Sequence, residues 1–144
     1  MQMNRSKHTV AAYKKRAVEE TIRAFFLNEC AEITTAYLFG SFVTGEPFSD
    51  VDLAFLTGKS PERSSSFELS LETRIESLIK LPVDVRLIDK APITFSQNVI
   101  RTGKVILDRD PNFRAAFESI VLRQYFDFSF YRKRYLEEVL NAPV

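Results

Sequence analysis

Three aspartates and a Gly-Ser dipeptide are the residues of this chain whose types and spacing can do chemistry. Asp50 and Asp52 stand at i and i+2, at the start of the apolar run Val51-Asp52-Leu53-Ala54-Phe55-Leu56. Side chains two apart on a strand point to the same face, so this run predicts two carboxylates side by side. The plain alternative is a turn residue at Asp50 and a surface residue at Asp52. Asp is depleted in strands, however, and two at alternate positions need a reason. A divalent cation supplies one, because it relieves the repulsion. Mg²⁺ fits best, since it takes oxygen ligands and substrate phosphates together. Upstream, the apolar run Tyr37-Leu38-Phe39 ends in Gly40-Ser41, and eight residues separate Ser41 from Asp50. Glycine lets a backbone come close to a phosphate. Ser41 offers both an N–H and a hydroxyl as donors to it.

Asp84 is the third carboxylate. It lies between Val83 and Val85 in another strand-like run, with Arg86 and Ile88 on its face. Two readings stay open for it. One is an Asp84–Arg86 pair on the polar face of an edge strand. The other adds Asp84 to Asp50 and Asp52 from a neighbouring strand. Three carboxylates can hold two metals about 3.5–4 Å apart, as phosphoryl chemistry requires. Asp84 is then also the candidate general base for an attacking hydroxyl. Together these residues point to nucleotidyl transfer.

The elements that must position them are legible in outline. Residues from about 9 to 30 carry Val10, Tyr13, Ala17, Ile22, Phe25 and Phe26 at helical spacing. Residues 33–39 and 51–57 read as strands, closed by Gly40 and Gly58. Residues 61–80 read as a helix with Phe67, Leu71, Ile75, Leu78 and Ile79 on one stripe, and Ser64-Ser65-Ser66 suits a helix start. Residues 83–89 give a third strand. Pro92 opens a helix that ends at Gly103, and 105–107 form a short strand. Pro111 starts a helix, and 130–140 give a last one. The order α-β-β-α-β-α-β-α-α predicts an α+β domain, a mixed sheet with helices against it. One domain is expected over 1–144: an N-terminal helix at about 9–30, a catalytic core at about 33–107 and C-terminal helices at about 111–141. The polar loop Thr44-Gly45-Glu46-Pro47 is expected between Ser41 and the second strand.

Composition narrows the class. The chain has 144 residues, 45% of them hydrophobic, and a net charge of +1. That supports a real core and gives no electrostatic case for binding nucleic acid in bulk. The single cysteine, Cys30, excludes an internal disulfide, suits a cytoplasmic setting and reads as buried filler. One Cys and one His, His8, make a zinc site implausible. The N-terminal residues lack the apolar core of a signal peptide. No apolar run approaches the roughly 20 residues that cross a bilayer, so no membrane partner is expected. Phe113, Phe117, Tyr125, Phe126, Phe128, Phe130, Tyr131 and Tyr135 crowd the C-terminal third. Most are expected in the core. Arg132, Lys133 and Arg134 between Tyr131 and Tyr135 offer a partner-binding surface instead.

The set Gly40-Ser41, Asp50-Val51-Asp52-Leu53 and Asp84 resembles the DNA polymerase β nucleotidyltransferase superfamily. More closely, the chain is similar to its minimal nucleotidyltransferase branch, the MntA-type antitoxins of HEPN–MNT toxin–antitoxin systems. The similarity continues through Gly103-Lys104-Val105-Ile106-Leu107, Arg109-Asp110-Pro111, Tyr125-Phe126-Asp127 and Tyr135-Leu136. It implies a polymerase β-like core with flanking helices, Mg²⁺ at a two-metal site and ATP as substrate. It implies transfer of AMP to a tyrosine of a HEPN ribonuclease toxin, encoded next door and silenced by the modification. By the same resemblance Asp50, Asp52 and Asp84 hold metal, and Gly40 and Ser41 hold phosphate. The chain departs from the family in a shorter loop between Ser41 and Asp50. It also has Phe42-Val43-Thr44 where relatives often place an arginine, which implies a weaker grip on the triphosphate. Two other functions compete: an antitoxin that acts by binding alone, and a nucleotidyltransferase of aminoglycoside-like small molecules. A pure binder has no need of three carboxylates. A drug-modifying enzyme needs an acidic pocket and an added domain to form it. Nearly every residue here serves one core, so the acceptor surface is expected from a partner protein.

Overall fold

The computed structural model describes residues 9–45, 47–58 and 64–141. His8, Glu46 and Pro61 lie outside them. Helix α1 spans Ala12–Glu29, strand β1 Thr35–Phe39, the single turn α2 Ser41–Thr44, β2 Val51–Leu56 and α3 Ser64–Ile79. Then come β3 Val83–Leu87, α4 Ile93–Thr102, β4 Lys104–Asp108 and α5 Pro111–Leu140. The strands form one mixed sheet in the order β3-β2-β1-β4. β1 pairs antiparallel with both β2 and β4, and β2 pairs parallel with β3.

Alternation along the strands sorts their residues onto two faces. Ala36, Leu38, Val51, Leu53, Phe55, Val83 and Val85 pack on one side with Ile22, Phe25 and Phe26 of α1 and Leu71 and Ile75 of α3. Tyr37, Phe39, Ala54 and Leu56 face the other side, with Ile88, Val99 of α4, and Phe113 and Phe117 of α5. Asp52 and Asp84 alternate with these core residues and so share the α4/α5 face.

Two polar devices hold the frame. Arg109 donates to the carbonyls of Phe26 (2.8 Å), Leu27 (3.2 Å) and Cys30 (3.4 Å), closing the end of α1 with the charge its dipole favours. Along the sheet edge, the backbone N–H groups of Val83, Val85 and Leu87 donate to Glu76, Glu72 and Glu68 at 2.9, 2.9 and 3.0 Å. Four helical residues rise about 6 Å and two strand residues about 6.6 Å. One glutamate per turn of α3 therefore matches every second donor of β3. The ladder saturates an edge that would otherwise recruit another chain.

The structure corrects three expectations. The polar loop expected from Thr44 begins one residue later, because Ser41–Thr44 form a turn of helix in which Phe42 is buried edge-on against Phe48 at 5.1 Å between ring centroids. The two C-terminal helices are one 30-residue helix, since no Gly or Pro follows Pro111 before Leu140. Most of the C-terminal aromatics are not core. Phe126, Phe128, Phe130, Tyr131 and Tyr135 are exposed, because α5 outruns the sheet it packs on. Cys30 is buried as expected, and burial pushes its thiol up to about 11. Among the described residues no helix is long and apolar enough to cross a membrane.

Candidate active site

Register does most of the assembly. Asp52 lies beside Asp84 in the parallel pair β2–β3 and opposite Phe39 in the antiparallel pair β1–β2. Adjacent strands stand about 4.8 Å apart, so the carboxylates of Asp52 and Asp84 leave neighbouring backbones on one face. Asp50 precedes β2, two residues before Asp52, and its charge acts on Asp52. Gly40 follows Phe39 with φ of 79°, a conformation side chains rarely adopt. A Cβ at Gly40 would also run into Oδ2 of Asp52. The turn can therefore approach the carboxylate only because this residue is glycine. Ser41 opens α2. Val43 and Thr44 return their N–H groups to the carbonyl of Gly40, which leaves the amides of Ser41 and Phe42 at the open start of the turn.

Burial, then the charges of Asp84 and Asp50, raise the Asp52 carboxyl to about 6, while Arg86 opposes the rise. Nε of Arg86 lies 3.5 Å from Oδ1 of Asp84. Its guanidinium sits 6.0 Å from the ring centroid of Phe95, which meets Phe39 edge-on at 5.7 Å. Both readings of Asp84 thus have a counterpart in the structure: it pairs with Arg86, and it neighbours Asp52. Among the described residues no three Asp, Glu, His or Cys side chains are drawn together closely enough to enclose an ion. The donor set still suits Mg²⁺ in its chemistry. It is all oxygen, and Asp52 feels the negative charge of both its neighbours, which a cation would relieve.

Sequence reasoning missed Lys15. Its Nζ donates to the carbonyl of Phe42 at 2.8 Å and sits 5.3 Å from the centre of that ring. It ties the Gly-Ser turn to α1 and places a cation behind it. Its partner lies 27 residues away, so no local pattern could have announced it. Phe95 was missed for the same reason. A groove of about 780 Å³ between α1 and α3, lined by Phe25, Arg74 and Leu78, opens on the opposite face of the sheet from Asp52.

Known proteins agree with this architecture. No curated protein sequence matches the chain. Solved structures do. A chain from the complex of tri-AMPylated Shewanella oneidensis HEPN toxin with MNT antitoxin is similar at a TM-score of 0.70 and 20% identity, over 88% of this chain and 98% of that one. A chain of an MntA–HepT toxin–antitoxin complex gives 0.69 and 19%, over 87% and 98%. A toxin–antitoxin complex with AMP-PNP gives 0.71 and 21%, over 85% and 98%. At these identities the likeness is one of fold. The family model for polymerase beta nucleotidyltransferases matches residues 20–112, from α1 through the whole sheet to the start of α5. The chain therefore belongs to the polymerase beta nucleotidyltransferase family.

Proposed function

We propose that this nucleotidyltransferase transfers AMP from ATP to a tyrosine hydroxyl of a HEPN-type toxin, in a Mg²⁺-dependent reaction, and so acts as its antitoxin. The observation that carries this reading is the register of Asp52 beside Asp84, with Gly40 packed against Asp52. Asp50, Asp52 and Asp84 are the residues that would hold Mg²⁺. When bound, the ion supplies charge neutralisation for the triphosphate and acidifies the attacking hydroxyl. The open start of α2 at Ser41 binds phosphate oxygens through backbone N–H groups. Asp84 accepts the tyrosine proton as the phenolic oxygen attacks the α-phosphorus. The new O–P bond forms as the bond between the α-phosphorus and its bridging oxygen breaks, and pyrophosphate leaves. Relatives of like fold include a complex with an AMPylated HEPN toxin and one with AMP-PNP, which supports ATP as the donor and a HEPN protein as the acceptor.

The test is incubation of the purified chain with the HEPN-type protein of its neighbouring gene, ATP and Mg²⁺, followed by mass spectrometry. A tyrosine of the partner should gain one or more AMP units, and the Asp52→Asn protein should give none. An unmodified partner that is inhibited equally by wild type and Asp52→Asn would establish silencing by binding alone.

A further inference from the structure

Helix α5 leaves the body of the protein. It starts beside the far end of the sheet, where a Cβ on Gly58 would lie 3.7 Å from Phe113 and Arg114 pairs with Asp108 at 2.8 Å. One and a half turns on, Glu118 accepts from the hydroxyl of Tyr37 at 2.9 Å, midway along β1. The helix therefore runs towards the end of the sheet that carries Phe39 and Asp52. Its 30 residues extend about 45 Å, whereas the five residues of β1 extend about 17 Å. Val121 is its last buried side chain, Tyr125 is half-buried, and every residue from Phe126 to Leu140 is exposed.

The exposed length is not polar. Phe126 is 75% exposed, Phe130 60%, Tyr131 66% and Tyr135 64%, with Phe128 and Val139 also open. Together the exposed apolar side chains of this stretch offer roughly 800–1,000 Å². Summed over the whole arm, that matches one side of a stable interface. At 100° per residue, Phe128, Tyr135 and Val139 fall on one stripe, and Phe126 and Phe130 fall on the opposite side. One pairing helix would cover a single stripe. Covering both requires a groove with two apolar walls in another protein. Three consecutive cations, Arg132, Lys133 and Arg134, ring the arm near its middle. Arg134 pairs with Glu138 at 3.3 Å, while Arg132 and Lys133 reach no carboxylate among the described residues.

We propose that residues 126–140 form a docking arm, which inserts into a two-walled groove of the protein acceptor and carries it in front of the carboxylates. The partner groove is apolar on two sides and acidic at its middle. This inference rests on the reading of the chain as an enzyme with a protein acceptor.

The full chain and its Phe130→Glu and Tyr135→Glu variants, one per stripe, are titrated against the purified HEPN-type toxin of the neighbouring gene. Melting temperatures are followed in parallel. Each variant should melt as wild type and bind the toxin at least tenfold more weakly. Asp52→Asn should bind at wild-type strength. Unchanged affinity in both variants overturns the arm, even where AMP transfer is observed. Loss in only one variant overturns the two-sided groove. A wild-type dimer that both variants dissociate, with toxin affinity intact, assigns the arm to a second copy instead. Tight binding that both variants weaken, without any AMP transfer by wild type, upholds the arm and removes the enzymatic reading.

Discussion

Asp52 concentrates the electrostatic problem of this fold at one residue. Its folded carboxyl titrates near 6, raised first by burial and then by Asp84 and Asp50. An unfolded aspartate titrates at about 3.9. Folding thus favours the protonated form. The stability this contributes is present below about pH 4 and is lost as pH rises through 6. At pH 7.5 the metal-free protein carries a penalty of about 1–2 kcal/mol, allowing for partial solvent screening. Asp52→Asn removes that charge. In EDTA at pH 7.5 it should melt at or above wild type, with the difference vanishing towards pH 4, while AMP transfer is lost at every pH. A lower melting temperature at pH 7.5 would make Asp52 a structural residue. The same protonation sets the sign for the ion: Mg²⁺ affinity of wild type, measured by calorimetry, should fall as pH drops through 6. Period-two alternation makes Asp52 and Asp84 legible as the polar positions of their strands, whereas Asp50 stands before β2, where alternation does not fix its side. The closeness of Gly40 to Asp52 was not legible. It depends on β1 pairing with β2 in the register that sets Phe39 opposite Asp52.

Elements differ in how far sequence reveals them, and the reason is where their partners lie. β2 and β3 were read within a few residues, since apolar runs bounded by Gly58 and Pro82 are local signals. The junction between α3 and β3 was not. Glu68, Glu72 and Glu76 stand off the apolar stripe of α3 and carry no local signal, yet each accepts a backbone N–H of the edge strand. The ladder fixes β3 against α3, and β3 carries Asp84. Glu72→Gln keeps an acceptor for the N–H of Val85 and should unfold in urea close to wild type. Glu72→Ala leaves that buried donor unpaired and should cost about 1–2 kcal/mol. Equal stability of the two variants would reduce the ladder to a surface coincidence. α5 misled for the opposite reason. Its aromatics have the composition of a core, and composition does not say whether the covering atoms belong to the same chain. Only the helix length set against the strand length separates the buried half from the exposed one.

For the whole molecule the choice of acceptor follows from where charge and apolar surface are placed. Twenty Lys and Arg offset nineteen Asp and Glu. Binding to a polynucleotide rests on neutralising many phosphates in a row. The consecutive cations Arg132, Lys133 and Arg134 stand on the arm, followed within a turn by Glu137 and Glu138, and carboxylates line β2 and β3 where the reaction would occur. A polyanion approaching Asp52 would meet like charge unless each phosphate brought its own cation. A triphosphate does so as a magnesium complex, whereas a long RNA finds no excess of basic residues in a chain of net charge +1. We therefore expect neither single-stranded RNA nor duplex DNA to be retained in filter binding at about 0.15 M salt and protein concentrations up to roughly 10 μM, within the range of ordinary non-specific affinities. With labelled ATP and Mg²⁺, counts should enter the protein partner and not RNA, DNA or an aminoglycoside in the same tube. Label on a nucleic-acid 3′ end would mean that the site accepts a template-free polynucleotide. The arm would then have to be reassigned as a surface for another purpose.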